Sequence, residues 1–125
     1  MRKRISVAIA AAAVVGAILY PSAASAYYGG TAYSGDGSAW GSVEVTSAAT
    51  FTLQDSHADG RGPILYYKIG STPWGSFSNG KGAGGQVVYT PSIVVSPGKV
   101  ISWYVCNVNT QTGYRSCGST KTITA

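Results

Sequence analysis

Short segments rich in Val, Ile, Thr and Tyr recur along this chain, each closed off by Gly, Pro, Asn or Asp. Segments of that length and composition suit strands, and no stretch after residue 26 keeps a 3.6-residue apolar period over a dozen positions. With 17 glycines and only 10% charged residues in 125, the pattern points to an all-β chain. We expect a single antiparallel β-sandwich, immunoglobulin-like, of six to eight strands.

The strongest strand is Lys99 to Val108. Val100, Ser102, Tyr104, Cys106 and Val108 fall on one face, and Ile101, Trp103 and Val105 on the other. Apolar residues on both faces place it in the middle of a sheet. Val43, Val45, Phe51 and Leu53 share one parity, as one bent strand or two strands broken near Ser47–Ala49. Ile64 to Ile69 is the next strand, with Pro63 where a strand can begin. Gln86 to Thr90 and Ser92 to Val95 read as two strand pieces around Pro91. Tyr114 to Cys117 and Thr120 to Thr124 end the chain. Tyr27 to Gly41, YYGGTAYSGDGSAWG, reads as a flexible lead-in. Ser71 to Gly85 reads as a fifteen-residue Gly-rich connection, long enough to be functional.

The first 26 residues have a different character. Arg2, Lys3 and Arg4 precede an apolar run from Ile5 to Tyr20, and Ala24 and Ala26 stand at the small-residue positions of a cleavage site. This is the layout of a secretory signal peptide, removed after Ala26. The run is shorter than the roughly 20 residues a membrane span requires, so no stable membrane anchor is expected after cleavage. The domain would then occupy residues 42–125, behind the 27–41 lead-in.

Export changes two arguments. Of the nine basic residues, three lie in the leader, which leaves Arg61, Lys68, Lys81, Lys99, Arg115 and Lys121 against Asp36, Glu44, Asp55 and Asp59. A net charge of +2 gives no case for nucleic acid. The distribution is more telling, because every acid lies at or before Asp59 and every base of the exported part at or after Arg61. Such halves either neutralise one another or leave a basic patch for an anionic partner. Second, Cys106 and Cys117, the only cysteines, read as a disulfide in an exported chain.

Candidate chemistry is sparse. Asp55, His57 and Asp59 form the tightest polar cluster, but position twelve of a calcium loop beginning at Asp55 is Tyr66, so the helix-loop-helix pattern fails. A non-standard ion site and a paired-carboxylate site are the sharper readings. The plainer one is an Asx-rich turn in which the Asp side chains bond local N–H groups and Gly60 takes a positive φ. One histidine and two paired cysteines make no zinc site, and Gly80-Lys81-Gly82 lacks the spacing of a phosphate loop. No metal and no cofactor are expected.

Aromatic residues are the better lead. Trp103 and Tyr104 point to opposite faces of one strand, so one face is core and the other an aromatic platform. Trp74 and Phe77 lie in the long connection, Lys81 follows them, and Trp40 precedes the first strand. Exposed aromatics bind partners through flat apolar surface, which makes Trp74, Phe77, Trp40 and Lys81 the candidate binding residues.

The stretch Asp55-x-x-Ala58-Asp59-Gly60-Arg61, the strand through Tyr66 and Tyr67, the Gly-rich loop and the late Val105-Cys106…Cys117 pair resemble small secreted β-sandwich proteins of actinobacteria. The resemblance covers about Thr50 to Gly118. Tyr27 to Trp40 have no counterpart, and the last loop departs from the apolar, Pro-containing version of that group. The resemblance implies fold and export, and no activity. The expectation is therefore a secreted, monomeric, non-catalytic module that binds extracellular glycan, the cell envelope or another secreted protein. A secreted inhibitor or antagonistic toxin inserting the 71–85 loop is the first alternative, and a small hydrolase using His57 the second.

Overall fold

A computed structural model describes residues 27–125; the signal-peptide reading of 1–26 lies outside the described residues. These form nine strands and no helix, arranged as two antiparallel sheets. The first sheet has the order β1 (Tyr27–Tyr33), β2 (Ala39–Val45), β3 (Ala49–Asp55), β6 (Gln86–Tyr89). The second runs β5 (Gly75–Ser78), β4 (Gly62–Ile69), β7 (Val100–Asn109), β8 (Tyr114–Cys117). β9 (Lys121–Thr124) pairs with the first half of β7, beside the stretch that β8 leaves open.

Period-2 patterning accounts for the core. β2 and β3 alternate buried and half-buried residues along their whole length, as does β4. Val43, Val45, Phe51 and Leu53 from one sheet meet Leu65, Ile69, Ile101, Trp103 and Val105 from the other. Phe51 bridges the sheets, with ring centroids 5.2 Å from Tyr67 and 6.4 Å from Trp103. The buried indole of Trp103 donates Nε1–H to the Gly41 carbonyl at 3.0 Å, which satisfies its polar atom without opening the core.

Four expectations need correction. The 27–41 segment is no flexible lead-in: β1 and the start of β2 form a hairpin whose turn is held by Ser34 and Asp36, with the Ala39 N–H donating to Ser34 Oγ at 3.1 Å and the Ser38 N–H to Asp36 Oδ1 at 3.1 Å. The 71–85 connection contains β5, which pairs with β4, so the free loop is shorter than its sequence implies. Ser92–Val95 is not a strand. The Ile93 N–H turns back to the Pro91 carbonyl at 2.8 Å, and Val95 is tucked into the core as the segment crosses between sheets. The strand count exceeds eight for the first two of these reasons. β2 and β3 are two strands broken at Thr46–Ala48, where the Thr46 N–H donates to the Ala48 carbonyl at 2.9 Å.

The expected bridge between Cys106 and Cys117 is present and staples directly opposed positions of β7 and β8. It fits an oxidising, non-cytoplasmic environment. No helix among the described residues is long and apolar enough to cross a membrane.

Candidate binding face on the second sheet

The outward side chains of β4 and β7 come from alternate positions, and the β4–β7 register sets Tyr66 directly opposite Tyr104. Cross-strand neighbours at this spacing touch. The two rings stack with centroids 4.9 Å apart and planes 14° from parallel. Trp74, just before β5, meets Tyr104 edge-on at 5.4 Å and is 47% exposed. At the other end of the row, Arg115 of β8 lies over Tyr66 with Cζ 5.2 Å from the ring centroid, and donates from Nη2 to the Tyr66 hydroxyl at 3.1 Å. The result is one continuous chain of contacts on the outer face, Arg115–Tyr66–Tyr104–Trp74, with the indole at its open end. Hydroxyl groups border it: Ser76 stands opposite Tyr66 on β5, and Ser102 and Thr122 pair at 3.2 Å on the neighbouring rung. Among the described residues the Tyr104 hydroxyl has no hydrogen-bond partner.

Beside Arg115 the face dips into an open groove of about 210 Å³ lined by Ile64, Val108, Tyr114 and Arg115. A larger one of about 500 Å³ shares Ile64 and Val108 with it and extends to Ser78 and Asn79.

The rim of the same sheet carries a polar knot. Asn107, fully buried near the end of β7, donates both N–H bonds of its amide, to Asp36 Oδ2 and to Asp59 Oδ2, each at 3.0 Å. Asp36 also accepts from the Tyr114 hydroxyl at 3.0 Å and from Ser34 Oγ at 2.7 Å, and Arg61 Nη1 lies 3.7 Å from it. The Arg61 guanidinium stacks on Tyr114 at 3.6 Å. Burial opposes ionisation of Asp36, but the bonds from Ser34, Asn107, the Ser38 backbone and Tyr114 win and hold it well below the usual carboxylate range. Asp59 is likewise lowered: burial pushes it up, and the Arg61 N–H, Asn107 and the Arg61 charge pull it down further. Two carboxylates oblige the Asn107 amide to face them with nitrogen, which leaves its Oδ1 buried without a partner. With an amide and a guanidinium already on these carboxylates, the knot reads as a clamp between the β1–β2 turn, the β3–β4 loop and β7.

The four residues singled out from sequence do not converge. Trp74 lies on the aromatic row. Phe77 faces inward on β5 and packs against Tyr89 at 5.3 Å. Trp40 lies on the outer face of the other sheet, opposite Gln54. Lys81 is exposed in the β5–β6 loop, where its N–H donates to Asn79 Oδ1 at 2.9 Å. Around His57 the turn is as expected: the His57 and Arg61 N–H groups donate to Asp55 Oδ1 and Asp59 Oδ1, at 3.3 and 3.0 Å, and Gly60 has φ 73°. Among the described residues no group of three or more His, Cys, Asp or Glu is placed to hold a metal ion. Tyr66 and Arg115 were not singled out. Their shared outward parity with Tyr104 was readable once the strands were placed; the β4–β7 and β7–β8 registers were not.

No protein-family model, no curated protein and no solved structure matches this chain.

Proposed function

We propose that the protein is a secreted, non-catalytic binding module that holds an extracellular or cell-envelope glycan on the outer face of the β5–β4–β7–β8 sheet. The row Arg115–Tyr66–Tyr104–Trp74 carries this reading. A sugar ring presents C–H groups on its faces and hydroxyls around its rim. That matches an exposed indole set among tyrosine, serine and threonine hydroxyls and a guanidinium. A protein partner would call for a broad apolar centre from which water is excluded, whereas the three touching rings here are bordered by hydroxyls and a guanidinium. The strand order supports an immunoglobulin-like sandwich, with β2-β3-β6 facing β5-β4-β7-β8 and the chain crossing between sheets at β3–β4, β5–β6 and β6–β7. Export rests on the 1–26 leader pattern and fits the Cys106–Cys117 bridge.

The test is a glycan array and a cell-wall pull-down with the exported protein, followed by titration of any hit. Trp74→Ala should weaken binding about tenfold, the worth of one aromatic stack, with an unchanged melting temperature. Phe77→Ala should instead lower the melting temperature. Absence of binding to every glycan and envelope fraction, or full affinity in Trp74→Ala, would overturn the reading.

A further inference from the structure

The separation of charge along the chain becomes a separation between sheets. Strands of the first sheet carry Glu44 and Asp55, whereas strands of the second carry Lys68, Arg115 and Lys121. The remaining acids, Asp36 and Asp59, are taken up by Asn107 and Arg61 in the knot. The Asp36–Arg61 contact is the one ion pair among the described residues. Lys121 shares the inward parity of Trp103, so the outer face of the second sheet presents Lys68 and Arg115 and no carboxylate.

These two cations bracket the aromatic row. Lys68 is outward on β4, two residues beyond Tyr66 and opposite Ser102. Arg115 lies opposite Val108, which in turn faces Gly62, six residues before Lys68 on β4. The Arg115 side chain reaches back to Tyr66, so the guanidinium sits at the Tyr66 hydroxyl, nearer to Lys68 than the backbone levels are. Arg115 is exposed, and only one of its five N–H groups is used, on Tyr66. Its planar fork therefore still has donors to offer a bidentate oxyanion.

We infer that the glycan bound by this face is an anionic oligosaccharide, its carboxylate, sulfate or phosphate groups read by Arg115 and Lys68 on either side of the Trp74–Tyr104–Tyr66 row. This rests on the glycan reading above and narrows its ligand class. Charge complementarity decides for an acidic saccharide over a neutral one, and a row of three touching rings offers more stacking surface than one sugar ring covers.

The experiment uses matched polymers on the exported protein: dextran against dextran sulfate, and polygalacturonate against its methyl-esterified form. The anionic member of at least one pair should bind at least about tenfold more tightly, with the advantage shrinking as salt rises. Which pair responds separates sulfate from carboxylate recognition. Arg115→Gln combined with Lys68→Gln should abolish the preference, lowering affinity for the anionic member at least about tenfold more than for the neutral one, and Trp74→Ala should weaken both. Equal affinity for charged and neutral members overturns the inference and leaves the glycan reading intact. Dextran sulfate binding undiminished in Trp74→Ala, or single-stranded RNA or anionic vesicles bound as tightly, also overturns it, because the face would then be a bare polyanion surface.

Discussion

Asn107 shows how much one buried side chain can organise. Its amide joins Asp36, 71 residues away in sequence, to Asp59, 48 residues away. Hydrogen bonds to charged groups contribute about 1.5–3 kcal/mol each, so Asn107→Ala should lower the unfolding free energy by at least about 2 kcal/mol, read by urea denaturation. The carboxylates give the pH dependence. Both are held below their unfolded values, so their stabilisation is complete above an unfolded pKa of about 4 and fades as pH falls through the lower folded values. Asp36→Asn should therefore melt earlier than the parent protein at pH 7, with the gap closing below about pH 3. A gap that stays constant from pH 7 to pH 2 would show that the Asp36 charge plays no part. None of this is visible in the sequence, where Asp59 reads as a local turn residue. That reading was right for Oδ1, which takes the Arg61 N–H, and silent about Oδ2.

Among the elements, β7 holds the second sheet together. One edge pairs with β4, and the other is divided between β9 and β8. The division falls at Gly118, whose N–H donates to the Val105 carbonyl at 3.0 Å while the backbone of Tyr33 fills the space a β-carbon there would need. Any side chain there would collide with the Tyr33 carbonyl, so Gly118→Ala should loosen the junction of β1 with the second sheet. Just before that glycine, the Cys106–Cys117 bridge ties β8 to β7. β8 is only four residues long and carries Arg115, so the bridge supports the aromatic row proposed to bind as well as the sheet. Closing a loop of about ten residues contributes roughly 3 kcal/mol. Reduction, or the Cys106→Ser/Cys117→Ser pair, should lower the melting temperature by about 10–20 °C. It should also weaken ligand binding before the protein unfolds, a difference visible when titrations are run well below the melting point. Strand positions were largely readable from alternation. Those that were misread, β1, β5 and Ser92–Val95, carry Gly, Pro or Ser that weaken the local signal.

At the scale of the molecule, two sheets share one apolar interior with Phe51 and Trp103 at its centre, both fully buried. Trp103→Ala should cost about 3–5 kcal/mol, a large share of the stability of a domain this size, and circular dichroism melts would register it. Tyr104→Ala, on the same strand but the opposite face, should leave most of that stability and remove binding. This contrast tests the division of β7 into a structural face and a recognition face. The split into an inward and an outward face is the property most legible in the residues themselves, because side chains alternate across a strand whatever the strand pairs with. The amino-acid order alone therefore determined an all-β chain, the inward and outward residues of its longer strands, the paired cysteines and the separation of acids from bases. Which strands lie side by side was decided only in three dimensions, because pairing joins positions tens of residues apart through backbone bonds that carry no side-chain signature. The register that sets Tyr66 against Tyr104, the approach of Trp74 and Arg115 to the two ends of that pair, and the conversion of charge order into one basic sheet face all belong to that second level.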